Sequence, residues 1–306
     1  YLDPELTKYK NVRVSGVFCR LLWYGLRGSR KPDNIGYRIV SISTGLFYMK
    51  IRQEVRGWRQ TGILIVCALA MAACSDAAPA EPVAIACDST KLGVERTIAV
   101  TADTGSIETL LDDGEVVLTF DDGPDPRRTP AVLDQLDRQC TKATFFLLGG
   151  QADRYPDMVR EIARRGHSLG GHSWSHANLM TLTADAAHSE VSTGMDAVNA
   201  ALAETGAKAI MFRFPFVATN AELSTDVREM GLLEVGVTAD GADWTKNRPE
   251  ASVDMILQKL DLAGRKGVIL LHDPFDKSDE RVNLLLSRLK LDGYRIVALG
   301  SAETGQ

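Results

Sequence analysis

The stretch "EVVLTFDDGPDP", residues 115 to 126, decides the fold. Val116, Val117, Leu118, Thr119 and Phe120 form a short apolar run rich in β-branched and aromatic residues, which reads as a strand covered on both faces. Two carboxylates, Asp121 and Asp122, end it at once, and Gly123 with Pro124 turns the chain. A surface turn uses the same residue types. What separates the two readings is whether other chemistry-bearing residues close strands in the same way.

Working outward, runs of this kind recur at "ATFFLL" (143–148), "HSLGGHS" (167–173), "AIMFRFP" (209–215), "LLEVGVTAD" (232–240), "GVILLHD" (267–273) and "YRIVALG" (294–300). The segments between them, such as "TPAVLDQLDRQ", "YPDMVREIARRG" and "PEASVDMILQKLDLAG", carry helical spacing, and several open on Thr, Asn or Pro and close on Gly. Strand and helix alternating in one continuous stretch imply an α/β fold. A (β/α) barrel and a doubly wound open sheet both satisfy that alternation, and both place chemistry at the C-terminal ends of their strands. The polar residues obey this rule. Asp121 and Asp122 close the first run, His172 the third, Arg213 the fourth, Asp240 and Asp243 the fifth, and His272 with Asp273 the sixth.

The chain's 306 residues, 45% hydrophobic and 25% charged, supply a full core. A net charge of -5, with basic residues scattered outside the N-terminal region, argues against a nucleic-acid partner. That N-terminal region reads differently from the rest. Met49 opens the basic stretch "MKIRQEVRGWRQ", and the apolar run "TGILIVCALAMAA" after it is shorter than the roughly 20 residues of a membrane span. Residues 49–73 are therefore expected to be a signal peptide, and 1–48 receive no function. Met71, Ala72 and Ala73 before Cys74 resemble the lipobox of bacterial lipoproteins, so a lipid anchor at Cys74 is the one membrane contact expected, with plain cleavage at the same alanines as the alternative. Residues 74–113 read as a tether and extension, 114–306 as the catalytic domain, and the address as exported, periplasmic or cell-surface. An oxidising compartment would permit Cys87 and Cys140 to pair, two separate thiols being the alternative.

Within "GHSWSHANL", His172 and His176 are four residues apart, a spacing at which one turn of chain can aim two imidazoles at a shared point. Two His and a carboxylate with an open position make a hydrolytic metal site, zinc first, with cobalt, nickel or manganese also suited to such donors. One Asp of "FDDG" completes the triad. The other is then free to accept a proton from water acidified by the metal. Capping or core hydrogen bonding is the ordinary use of a His pair. The aspartyl nucleophile of haloacid-dehalogenase-like phosphatases also follows a strand, but that pattern spaces its acids as D-x-D and here they are contiguous.

Taken in order, "TFDDGP", "HSWSH", "RFP", "DGADW" and "LLHD" resemble the five motifs of the polysaccharide deacetylases, carbohydrate esterase family 4 with its NodB homology domain, over roughly residues 114 to 300. The resemblance implies a distorted (β/α) barrel of about seven parallel strands. It also implies removal of N-acetyl, sometimes O-acetyl, groups from chitin-like, peptidoglycan or related glycans. By resemblance Asp121 is the general base, Asp122, His172 and His176 hold one divalent metal ion, and Arg213 orients the base. His272 is similar to the general acid and Asp243 to its partner; Trp244 and Leu271 resemble the apolar walls around the acetyl methyl. After "RFP" the family often has Tyr and Gly, whereas this chain has Phe216, Val217 and Ala218, so a backbone N–H at Phe216 faces the oxyanion without a phenol beside it. Asp240, Asp273 and Ser175 are expected in supporting positions, and His167 and His188 as structural or solvated. The expected activity is metal-dependent N-deacetylation of a glycan, with an O-acetyl esterase or a non-catalytic carbohydrate-binding lipoprotein as alternatives.

Overall fold

The computed structural model describes strands at 8–14, 17–23, 37–42 and 45–50, and then residues 87–301 apart from 246 and 247. The chain divides into two units, Tyr1–Glu81 and Pro82–Gln306. In the first, β1 (Lys8–Val14) pairs antiparallel with β2 (Val17–Trp23), and β3 (Tyr37–Ile42) with β4 (Gly45–Lys50). Met49 lies in β4. The rest of the expected leader, with Cys74, lies outside the described residues.

The second unit is built on parallel strands: β5 (Arg96–Val100), β6 (Glu115–Asp121), β7 (Thr144–Leu147), β8 (Ser168–Gly171), β9 (Met211–Phe212), β10 (Leu233–Glu234), β11 (Ala239–Asp240), β12 (Gly267–His272) and β13 (Arg295–Ser301). Their main order is β10-β9-β8-β7-β6-β12-β11. Helices Thr129–Arg138, Pro156–Arg164, Ala184–Leu202, Ala221–Glu229, Pro249–Leu262 and Ser278–Leu291 alternate with the strands, as the sequence predicts. This is the α/β architecture of a distorted barrel.

The run 232–240 departs from the expectation of one strand. It forms two strands of two residues each, β10 and β11, which stand at opposite edges of the sheet. Only residues 235–238 join them, a linker that spans at most about 18 Å, so the sheet has to curl. Among the described residues no backbone ladder closes the seam. Arg213 fills it instead: Nε donates to Val235 O at 3.1 Å, Nη2 to Gly236 O at 2.9 Å and Nη1 to Thr119 Oγ1 at 2.6 Å. Its guanidinium also lies 4.3 Å from the Phe146 ring centroid. A planar group with five donors satisfies carbonyls that the missing ladder leaves over.

Period-two alternation sorts the strand residues between two cores. Val116, Leu118, Phe120, Phe145, Leu147, Ile269 and Leu271 face the helices. Val117, Phe146 and Val268 face the barrel interior, where they meet Ile98, Val100, Ile107 and Leu111 with Val297 and Leu299. The segment 96–111, read from sequence as part of an extension, therefore packs inside the same unit. It enters at the end where β6 begins, because β13 pairs with β6 at Glu115 and Val116 before running alongside β5. Arg96 donates to both Glu115 oxygens, at 2.9 and 2.7 Å, and this pairing holds the buried carboxyl down to about 2 although burial alone would raise it. A disulfide joins Cys87, ahead of this segment, to Cys140, two residues past the end of helix Thr129–Arg138.

Candidate metal centre and active site

The inward columns of the strands end in polar side chains at the C-terminal mouth of the barrel. Asp121 completes the column of Val117 and Thr119, and His272 that of Val268 and Leu270; the two stand opposite each other in register. His172 and Arg213 extend β8 and β9 by one residue, their N–H groups donating to Leu147 O at 2.9 Å and Gly171 O at 3.0 Å. All four are buried. Arg213 Nη1 donates to Asp121 Oδ1 at 2.8 Å, while Asp121 Oδ2 lies 3.7 Å from His172 Nε2. His172 Nδ1 is 2.8 Å from Arg213 O. A carbonyl only accepts, so Nδ1 carries the proton and Nε2 presents its lone pair to the carboxylates. Burial pushes this imidazole below its usual pKa against the pull of Asp121 and Asp122, which favours the neutral form.

Asp122 is aimed by backbone conformation. Its φ is 72°, so adjacent carboxylates reach different partners. Asp122 Oδ1 lies 3.6 Å from His172 Nε2 and 3.3 Å from His176 Nε2. It is buried and accepts no hydrogen bond from the protein. One ligand atom from each of Asp122, His172 and His176 lies within 4.8 Å of the others. A buried anionic oxygen without a donor, beside two imidazole nitrogens, is a donor set that one divalent cation satisfies. The residues present thus fit the metal that the motifs imply.

His176 rides on a turn in which it and Ser173 both have φ 63°. Its N–H donates to Ser173 Oγ at 3.0 Å, and its ring meets the Phe216 ring edge-on at 4.5 Å. Glu190, on helix Ala184–Leu202, accepts from the N–H groups of Trp174 and Ser175 and from the Ser175 hydroxyl. Sequence reasoning passed over Glu190. The available signal was its place one helical turn before Gly194, a glycine whose missing side chain lets the turn approach the helix.

On the other side, His272 Nδ1 lies 2.7 Å from Asp243 Oδ1, and His272 N–H donates to Asp243 Oδ2 at 2.9 Å. Burial opposes the charged ring, but the hydrogen bond and charge of Asp243 outweigh it and raise the pKa to about 9. Nε2, 4.0 Å from Asp122 Oδ2, therefore keeps its proton at neutral pH. Asp273 points behind the site, where Thr129 Oγ1 donates to it and burial pushes its carboxyl up to about 7.

Phe216, Val217, Asp240, Trp244, Leu270 and Phe275 wall the cavity above these groups. Phe216 and Trp244 are 63% and 57% exposed on its rim. Leu271, expected as a wall, is turned outward into the helix-facing core, and Leu270 stands in its place. The reason is the strand period: with His272 facing inward, the residue two before it shares that face. Asp240 borders the cavity rather than lying behind it, one oxygen accepting from Ala242 N–H at 2.7 Å. His167 is a buried structural residue accepting from Ala143 N–H, and His188 pairs with Asp226 at the surface.

The polysaccharide deacetylase family matches residues 110–235. A chitooligosaccharide deacetylase of Rhizobium leguminosarum bv. trifolii is 34% identical over 163 residues, covering 53% of this chain and 73% of that protein. A peptidoglycan-N-acetylmuramic acid deacetylase of Bacillus subtilis is 30% identical over 189 residues, covering 61% of this chain and 38% of that longer protein. Among solved structures, a family 4 carbohydrate esterase from Streptomyces lividans in complex with acetate superposes with a TM-score of 0.53 at 30% identity, over 62% of this chain and 93% of that one. Identity at this level over most of a relative's length, on a shared barrel, means that the chain belongs to the polysaccharide deacetylase family.

Proposed function

We propose that this protein is a metal-dependent hydrolase that removes N-acetyl groups from a glycan of the chitooligosaccharide or peptidoglycan class. One observation carries the reading: three candidate metal donors, a second carboxylate held by Arg213 and an imidazole held by Asp243 converge on one barrel mouth. Carbohydrate binding alone has no use for two proton-transfer groups. A divalent cation on Asp122, His172 and His176, zinc in this reading, supplies Lewis acidity toward water and the acetyl carbonyl. Asp121 acts as general base, since Arg213 fixes one of its oxygens and leaves the other to take a proton from the attacking water. The Phe216 N–H donates to the developing oxyanion, and Leu270, Phe216 and Trp244 enclose the acetyl methyl. His272 then passes its Nε2 proton to the departing nitrogen, while Asp243 holds the ring in the orientation for that transfer. An amide nitrogen leaves only as the neutral amine, so N-deacetylation needs the proton that His272 delivers.

Acetate release tests this. The wild-type chain in zinc-replete buffer should release acetate from N-acetylglucosamine oligomers or peptidoglycan faster than from acetylated xylan. A zinc-loaded protein inert on every N-acetylated glycan would sink the proposal. The same reading places the protein outside the cytoplasm, exported by the segment 49–73 and tethered at Cys74, and the Cys87–Cys140 bridge supports an oxidising address. Cys74→Ser should release it from the membrane fraction, and a variant that stays bound refutes the tether.

A further inference from the structure

The two imidazoles of the metal centre are placed by different means. His172 stands at a strand end with Nδ1–H tied to Arg213 O. Among the described residues, no hydrogen bond fixes Nδ1 of His176, so the position of its Nε2 follows from the backbone beneath it and from the ring contact with Phe216. That backbone is the turn 173–176, left-handed at Ser173 and at His176. Non-glycine residues keep such a conformation only where the surroundings over-determine it.

Two neighbouring segments grip the turn. The carbonyls of Ser173 and Trp174 accept from Gly149 N–H at 2.9 Å and Gly150 N–H at 3.0 Å. From helix Ala184–Leu202 one carboxylate collects three more donors: Glu190 accepts from Trp174 N–H at 3.2 Å, Ser175 N–H at 2.9 Å and Ser175 Oγ at 2.8 Å. One helical turn further along, a Cβ on Gly194 would come within 2.6 Å of the Ser173 carbonyl carbon, so that helix face is shaped to let the turn sit against it. We infer that Glu190 is a positioning residue for the metal centre: by gathering the donors of turn 173–176 it sets where His176 Nε2 stands, and through that the affinity for a divalent cation. It acts through the turn and makes no contact with the ion. The inference rests on the metal-dependent reading above.

Its chemistry suggests the test. A glutamine at this position can still accept both N–H groups on its oxygen and donate its NH2 to Ser175 Oγ, whereas a methionine keeps the length and loses every acceptor. Zn2+ is titrated against a chromophoric chelator into the metal-stripped full chain, for wild type, Glu190→Gln and Glu190→Met, with the Tm of each metal-free protein measured alongside. Glu190→Met should weaken zinc about 10- to 100-fold, the range for losing a group that orients a metal ligand, while Glu190→Gln stays within about threefold of wild type. Should the methionine variant not fold, Glu190→Asp, which shortens the reach by one methylene, should still weaken zinc several-fold. A folded methionine or aspartate variant with wild-type zinc affinity overturns the inference, even if its Tm falls. So does a glutamine variant as weak as the methionine one, since charge and not placement would then be the cause. A wild-type chain that takes up none of Zn2+, Co2+, Ni2+ or Mn2+ ends the metal reading itself, which distinguishes that failure from this one.

Discussion

Half of the candidate site stands on strands and half on turns, and the two halves are held differently. Asp121, His172, Arg213 and His272 continue the inward columns of β6, β8, β9 and β12, and backbone ladders fix their spacing. Asp122, His176 and Phe216 sit at φ 72°, 63° and 60°, with Ser173 and Val217 also left-handed beside them. Each such residue costs on the order of 1–3 kcal/mol, which packing from outside the barrel has to offset. The difference teaches that the proposed proton-transfer groups come with the sheet, whereas two of the three candidate metal donors and the rim depend on what braces their turns.

Four changes break or sharpen that comparison, taken from the largest expected effect down. Asp121→Asn strikes the strand half at its chemistry: acetate release should fall by about 10²- to 10⁴-fold while zinc affinity stays near wild type. Full turnover in metal-replete buffer would remove Asp121 from the role of base. Arg213→Met asks whether the strand half is also architecture. It leaves a buried carboxylate unpaired and the seam unfilled, so chemical denaturation should show a loss of about 3–5 kcal/mol. A variant as stable as wild type would mean that the seam needs no filling. Gly194→Ala strikes the turn half, driving a methyl toward the backbone of Ser173 and Trp174 at 2.6 and 2.9 Å. A destabilisation of about 1–3 kcal/mol is expected together with weaker zinc uptake, and unchanged uptake would show that the turn tolerates displacement.

The smallest effect lies away from both halves. Glu115 is held at about 2 in the fold, chiefly by its hydrogen bond to Arg96, against an ordinary value of 4.5. A depressed carboxyl stabilises above its unfolded pKa, so this contribution is present above pH 4.5 and is lost as pH falls from there toward 2. The Tm of wild type should therefore drop more steeply over that interval than the Tm of Glu115→Gln. Parallel curves would remove Glu115 from the acid response, and in either case the mouth of the barrel should be unaffected at neutral pH.

The strand half was legible because an apolar run that stops on two acids has few explanations in a buried sheet, and because the other polar residues closed runs in the same way. The alternation that made it legible was not pressed far enough: with His272 inward, Leu270 and not Leu271 had to face the cavity. The turn half was legible only through the motifs, since a spacing of four between histidines says nothing about left-handed backbone. Glu190 lies well along the chain from His176 on an ordinary amphipathic helix, and its partners are mostly backbone amides, which leave no trace in composition. The same holds for Arg213 at the seam, where two of its acceptors are carbonyls of residues 235 and 236. The split of 232–240 and the strand 96–100 were missed because runs of two to five residues, only partly buried, do not announce a period.

Between β6 and β12 the pairing is unbroken from Val116 opposite Gly267 to Asp121 opposite His272. Adjacent strands lie about 4.8 Å apart, so the distance between the backbones that carry the proposed proton taker and proton giver is a lattice constant of the sheet. Loops around the mouth can be lengthened or exchanged without detuning that pair. On the proposed function, preference for one glycan over another is then free to drift at the rim while the acid–base spacing beneath it stays still.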